Sequence, residues 1–104
     1  MRLFHDYTGR AIRLTEERLT HVRDHPEMRA MEQAIGETLA APTRVITSRS
    51  DADARLYYRY YEHTPVDAKY LCVVVKDSGS GPFVLTAYLT DTLKKGELLW
   101  PTAN

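Results

Sequence analysis

Four runs in the second half of the chain, "TRVITS", "ARLYYRYYE", "KYLCVVVKD" and "PFVLTAYLT", are rich in β-branched and aromatic residues, and only "RSDAD", "HTPVD" and "SGSG" separate them. Side chains of that kind suit a pleated, half-buried surface, and the Gly, Pro, Asp and Ser between them are turn formers. A parallel crossover needs a dozen or more residues, so linkers this short dictate antiparallel neighbours. The expectation over residues 43–100 is therefore a four-stranded antiparallel meander, whose tail "DTLKKGELLW" adds a turn and a short extra strand. At 104 residues the chain is read as a single domain, residues 1–104, with room for one core.

The first half has a different texture. Residues 1–14, "MRLFHDYTGRAIRL", fit either an extended arm or a short hairpin around Thr8–Gly9. Residues 15–41 read as helical. Thr15 is a helix cap, followed by Glu16 and Glu17 where the helix dipole favours carboxylates, and Leu19 and Val22 give an apolar stripe. The residue before a proline is pushed out of the α region, so this helix stops near His25. Pro26 suits the first position of a second helix, in which Met28, Met31, Ile35 and Leu39 recur at helical spacing until Pro42. The predicted fold class is α+β: two N-terminal helices packed on the four-stranded antiparallel meander.

Fourteen basic residues balance fourteen acidic ones, which argues against non-specific coating of nucleic acid, a mode that relies on many phosphate contacts. Apolar runs are too short for a membrane-spanning helix, and "MRLFHDYTGR" lacks the apolar stretch of a secretory signal, so a cytoplasmic location without membrane association is expected. Cys72 is the single cysteine; it forms no internal disulfide and reads as a buried, inert thiol.

Alternation divides each strand into two faces. In "ARLYYRYYE", Arg55, Tyr57, Arg59 and Tyr61 share one side and Leu56, Tyr58 and Tyr60 the other. In "PFVLTAYLT", Phe83, Leu85, Ala87 and Leu89 are wholly apolar, whereas Val84, Thr86, Tyr88 and Thr90 are half polar. Packing the helices on the apolar side leaves a surface of arginine, tyrosine and threonine. Guanidinium groups bind phosphates bidentately and aromatic rings stack on bases, so such a surface suits a nucleic acid. The same residues also serve as ordinary exposed-strand side chains whose stems cover apolar area.

The order "HVRDHPEM", "LYYRYY", "YLCVVVK", "FVLTAYLTDTLKKGELLW" resembles the phage- and mobile-element-associated branch of the barnase–EndoU–colicin–RelE-like fold, over roughly residues 12–100. That resemblance implies a small toxin-type endoribonuclease of N-terminal helices and an antiparallel sheet. It also implies a catalytic set drawn from a helical histidine, a basic residue of the sheet and a hydroxyl near the last strands. By position these are His25 or His21, then Arg59 or Arg55, then Thr86, Tyr88 or Thr90. Arg55, Tyr57, Tyr61, Arg18, Thr90, Lys94 and Lys95 are expected to bind substrate.

Metal-independent RNA cleavage takes the 2′-hydroxyl as nucleophile and needs a base, an acid and positive charge at the phosphate. Histidine suits the proton transfers because its ordinary pKa of roughly 6.5 lies near working pH. At about 100° per residue, Arg18, His21 and His25 fall on one side of the first helix. A histidine just before a proline serves equally well as a polar cap at a helix end. No cofactor and no metal site are expected: Val22 follows His21 where the helical zinc motif carries glutamate, and Pro26 breaks the helix. The implied partners are RNA, ribosome- or tRNA-associated, and a neutralising antitoxin or immunity protein. The alternative is a non-catalytic protein- or RNA-binding module that keeps the fold and uses a sheet edge or the Tyr/Arg face.

Overall fold

The protein, described here from a computed structural model, is seen over residues 1–102. Its elements run β1 (Arg2–His5), β2 (Ala11–Leu14), α1 (Glu16–Arg23), a 3-10 helix (Pro26–Ala30), α2 (Glu32–Ala40), β3 (Arg44–Thr47), β4 (Ala54–Tyr61), β5 (Lys69–Lys76), β6 (Phe83–Thr90) and β7 (Leu98–Trp100). All seven strands join one sheet in the order β1-β2-β6-β5-β4-β3-β7.

This corrects the expected four-stranded meander behind two N-terminal helices. Strands β3 to β6 do pair antiparallel in sequence, as their short linkers require. The N-terminal segment, however, is a hairpin that precedes the helices, and its second strand meets β6 in parallel at Arg13–Phe83. That pairing makes the sheet mixed. The tail crosses to the opposite edge, where β7 pairs with β3. A hairpin around Thr8–Gly9 and a short extra strand in the tail are both among the expectations, but their places in the sheet were not legible, since strands of three or four residues carry too little alternation to show what they pair with.

The helical layer forms for local reasons. The hydroxyl of Thr15 accepts from the Arg18 N–H at 3.2 Å and caps α1, with Glu16 and Glu17 in its first turn. Pro26 ends it: His25 is extended, at φ −88° and ψ 105°. The second helix is not continuous from Pro26 as its spacing suggests. A 3-10 turn comes first, α2 begins only at Glu32, and Met28, Met31, Ile35 and Leu39 are all buried regardless.

The main core lies between this layer and one face of the sheet, joining Leu19, Val22, Met28, Ile35 and Leu39 to Tyr57, Leu71, Val73, Val75, Val84 and Ala87. A smaller cluster of Ile46, Leu56, Tyr58 and Cys72 occupies the other face, capped by Leu93. The second cluster exists because residues 91–97, between β6 and β7, form a strap across that face. The strap is fastened at Tyr58, whose hydroxyl accepts from the Lys94 N–H at 3.1 Å, and at Thr47, whose hydroxyl accepts from the Glu97 N–H at 3.2 Å. Gly96 is required there, since a Cβ would stand 2.0 Å from the Thr47 carbonyl oxygen.

The hairpin is fastened by one carboxylate. Asp6 is 5% exposed. Its Oδ1 accepts from the Thr8 N–H at 2.9 Å, the Thr8 hydroxyl at 2.6 Å and the Arg10 N–H at 3.0 Å, and its Oδ2 accepts from the Tyr57 hydroxyl at 2.6 Å. Arg10 then bonds Asp77 at 2.9 Å. Burial alone would raise the Asp6 pKa, but the bonds from Thr8, Tyr57 and Arg10 outweigh it and hold the carboxyl below its ordinary 3.8. Burial and the bond to Asp6 together push the Tyr57 phenol up to about 12.

Asp6→Ala strands the buried Tyr57 hydroxyl and three part-buried donors and is expected to cost about 2–4 kcal/mol, lowering Tm by roughly 10 °C or more in thermal unfolding followed by circular dichroism. Because the folded-state pKa of Asp6 is depressed, its contribution is present above the ordinary carboxylate range and is lost as pH falls through the lowered value. Asp6→Asn should therefore show a flatter stability profile than wild type below about pH 4; identical acid slopes would exclude this role. Gly96→Ala should lift the strap from β3 and deprotect the amides of Leu98–Trp100 in hydrogen exchange, with little change in α2.

Candidate active site

The Cα register of the sheet decides which side chains can meet. On the helix-covered face, Leu71 stands opposite Arg59 and Leu89, Val73 opposite Tyr57 and Ala87, and Val75 opposite Arg55 and Val84. On the other face, Tyr70 stands opposite Tyr60 and Thr90, Cys72 opposite Tyr58 and Tyr88, and Val74 opposite Leu56 and Thr86. A bulge sets the last match. Val75 pairs with Val84 while Val74 pairs with Thr86, so Leu85 is the extra residue and the face of the strand changes there.

The arginine-bearing side of β4 and the hydroxyl-bearing side of β6 therefore lie on opposite faces of the sheet. Arg59 turns toward the end of α2, where its guanidinium donates to the Ala41 carbonyl and sits 5.6 Å from the centroid of the Tyr61 ring. Arg55 lies near Tyr7 of the hairpin. Tyr57, expected to contact substrate, is fully buried, and the Tyr61 hydroxyl donates to Glu37 at 2.7 Å. The physical reason is the Asp6 clasp, which satisfies the Tyr57 hydroxyl inside the core. The strand pattern could not show it, because the partner lies 51 residues away.

A histidine does come to the hydroxyl face. Strand β2 touches β6 only near Phe83, so farther along β6 the neighbours are α1 and the 3-10 helix. The chain break between those helices places the His25 ring 6.3 Å from the Tyr88 ring, centroid to centroid, with planes tilted by 45°. His25 is half-buried; His21, on α1, is exposed. Arg18 lies on the α1 side and lines a separate cleft with Arg13.

Around Tyr88 the polar groups are held in defined states. Burial, reinforced by the neighbouring Cys72 and Tyr58, keeps the Tyr88 phenol protonated far above its ordinary pKa of 10. At neutral pH it is a donor. Burial also pushes the Cys72 thiol up to about 11 against the pull of Tyr88, Tyr58 and Lys94, which makes it a poor nucleophile. Two residues before Tyr88, the Thr86 hydroxyl is buried with no hydrogen-bond partner among the described residues. Thr90 is engaged locally, accepting from the Thr92 N–H at 3.0 Å.

Positive charge comes from the strap rather than from β4. Lys94 and Lys95 line a cleft of about 340 Å³ together with Arg44 and Arg49, and no carboxylate lines it. None of these four cations forms an ion pair among the described residues. Beside them on the same face, Tyr60 and Tyr70 form an edge-to-face pair at 5.3 Å, and Tyr60 is 47% exposed. Arg44, Arg49, Tyr60 and Tyr70 were absent from the residues expected to act. Tyr60 and Tyr70 could have been found by placing Tyr60 on the face of Tyr58 and noting that Tyr70 alternates with Cys72.

His25 and Tyr88, at the β6 side of the sheet, can move a proton and donate a hydrogen bond from a neutral phenol. The cations of the cleft at the β3–β7 side can hold an anion, and Tyr60 and Tyr70 can stack a planar ring. Among the described residues no three His, Cys, Asp or Glu side chains gather as a metal-holding group, and no helix is long and apolar enough to cross a membrane. No curated protein and no solved structure matches this chain. The family described as phage-Barnase-EndoU-ColicinE5/D-RelE like nuclease2 matches residues 1–101, and its name indicates nucleic acid as the substrate class. The chain belongs to that family of nucleases.

Proposed function

We propose that the protein is a toxin-like, metal-independent endoribonuclease that cleaves RNA by attack of the 2′-hydroxyl on the adjacent phosphate. The observation that carries this reading is the approach of His25 to Tyr88 on the sheet face away from the helices. His25 is the proton-transfer group, and positioned transfer of this kind contributes on the order of 10²–10⁴-fold. Tyr88, neutral at working pH, donates to a phosphoryl oxygen as charge builds there. The unpartnered Thr86 hydroxyl offers a second donor beside it. Lys94 and Lys95, with Arg44 and Arg49, take the phosphate role in place of Arg59 and Arg55, which the family resemblance implies for it. Tyr60 and Tyr70 supply stacking for an unpaired base. Cleavage by this route acts on cytoplasmic RNA, free or ribosome-bound, and calls for an antitoxin or immunity protein that covers the same face.

A second reading, a non-catalytic binding module, draws on the outer edge of the sheet. The short strand β7 presents Leu98 at 44% and Trp100 at 38% exposure, a template for pairing with another chain.

One experiment separates the two. The purified protein, in excess EDTA, should cut single-stranded RNA and leave 2′,3′-cyclic phosphate ends. His25→Ala should slow cleavage by about a hundredfold or more, and Tyr88→Phe by roughly tenfold to a hundredfold, with melting curves close to wild type. Arg59→Ala should retain more activity than either. Full activity in both His25→Ala and Tyr88→Phe would remove the site; RNA binding without cleavage by wild type would favour the module.

A further inference from the structure

We propose that the cleft between α1 and the start of β6 is a second nucleotide subsite, which takes the phosphate and base next to the scissile bond of single-stranded RNA. The inference rests on the nuclease reading above and specifies its substrate as a strand longer than the bond that is cut. The cleft encloses about 370 Å³ and is lined by Arg13, Arg18, Ser78, Ser80, Phe83 and Leu85, with Glu17 at its mouth.

The two arginines are held differently. Arg13 is preset: one terminal nitrogen donates to the Gly81 carbonyl at 2.9 Å and to the Ser80 hydroxyl at 3.4 Å, and its guanidinium carbon sits 6.0 Å from the centroid of the Phe83 ring. Arg18 forms no ion pair among the described residues. In both, the buried Nε has no hydrogen-bond partner there. Unspent guanidinium donors over a floor of phenylalanine and leucine match a nucleotide: phosphate oxygens take the forked N–H groups and the base lies on the apolar floor.

The position of the cleft agrees with the proposed chemistry. Arg18 precedes His25 by seven residues, roughly 10 Å at a helical rise of about 1.5 Å. On the opposite wall, Leu85 precedes Tyr88 by three residues, again about 10 Å at roughly 3.3 Å each. The helical and the strand wall thus both run from the cleft toward the His25–Tyr88 pair at matching offsets. The bulge at Leu85 supports the same arrangement, because the extra residue turns this side chain out of the ladder and into the cleft. A neighbouring nucleotide fits that interval.

The test compares cleavage, in EDTA, of a dinucleotide with trinucleotides extended on the 5′ or the 3′ side. Extension on one side should raise kcat/KM by about tenfold or more. In Arg13→Gln and Arg18→Gln that gain should fall below about twofold, whereas Glu17→Gln should raise affinity by removing the opposing charge. A gain that survives both arginine changes overturns the subsite. If wild type cuts no RNA at all, the nuclease reading falls, and the subsite is judged by NMR with a 2′-O-methyl trinucleotide and with inorganic phosphate. Shifts at the amides of Arg13, Arg18 and Phe83–Leu85 with the trinucleotide, lost in Arg18→Gln, sustain it. Shifts with neither probe, or shifts unchanged in Arg18→Gln, overturn it.

Discussion

A single buried carboxylate sets the geometry on which the rest depends. Asp6 gathers two backbone amides and a hydroxyl of its own hairpin and one phenol from the middle of the sheet. The hairpin tip is thereby pinned over β4, and its second strand is led back along the sheet to meet β6 at Phe83. Only Thr15 separates that strand from α1, so the start of α1 inherits its position from the pairing. Eight residues later the helix must stop for Pro26, and the extended residue before the proline is His25. A charge at one end of the hairpin is thus connected, through a strand and a helix of fixed length, to the imidazole beside Tyr88. Burying such a charge is tolerable because every bond it accepts favours the ionised form.

The same clasp explains why the two faces divide as they do. Alternation alone makes Tyr57 and Arg59 companions of the exposed face and leaves Leu56 and Tyr58 for the core. In the folded chain Tyr57 goes inside because Asp6 satisfies its hydroxyl there, and Arg55, Arg59 and Tyr61 follow by period two. Tyr58 is buried too, but beneath the strap, where its hydroxyl receives the Lys94 amide. The sheet therefore has polar aromatic residues on both sides, each anchored by a contact from a distant segment. Hydropathy cannot rank two such faces; only their partners can.

What the sequence makes legible is what local chemistry controls. The cap at Thr15, the stop at Pro26, the four long strands and the antiparallel sense of their short connections all follow from residues within a few positions of one another. The hairpin and the tail strand could be suggested in this way, but not the strands they pair with. Strands β1, β2 and β7 have four, four and three residues, and the hairpin and strap that carry them are placed by long-range bonds. For the candidate site the split is similar. His25, Thr86 and Tyr88 are named, with His21, Arg59, Arg55 and Thr90, through the family resemblance, and the residues alone add only that His25 stands at a helix break. The cations could not be placed, since Arg44 and Lys94 are neighbours only through the path of the strap.

Charge distribution completes the picture that net charge obscures. The ion pairs among the described residues draw on the N-terminal amine, Arg2, Arg10, Arg23, Lys69 and Lys76. Both clefts are lined by other cations: Arg13 and Arg18 in one, Arg44, Arg49, Lys94 and Lys95 in the other. Acidic residues neutralise the total, yet several of them are spent on holding the hairpin, α1, α2 and the strand ends. At physiological ionic strength charges are felt over about 8 Å, so an anion entering either cleft responds to the local excess, which Glu17 reduces in the first, and hardly to the distant carboxylates. A chain with no net charge can in this way keep two clefts with a local excess of positive charge. Since the total is zero, the surface outside the clefts carries a net negative charge, which disfavours indiscriminate adhesion to nucleic acid.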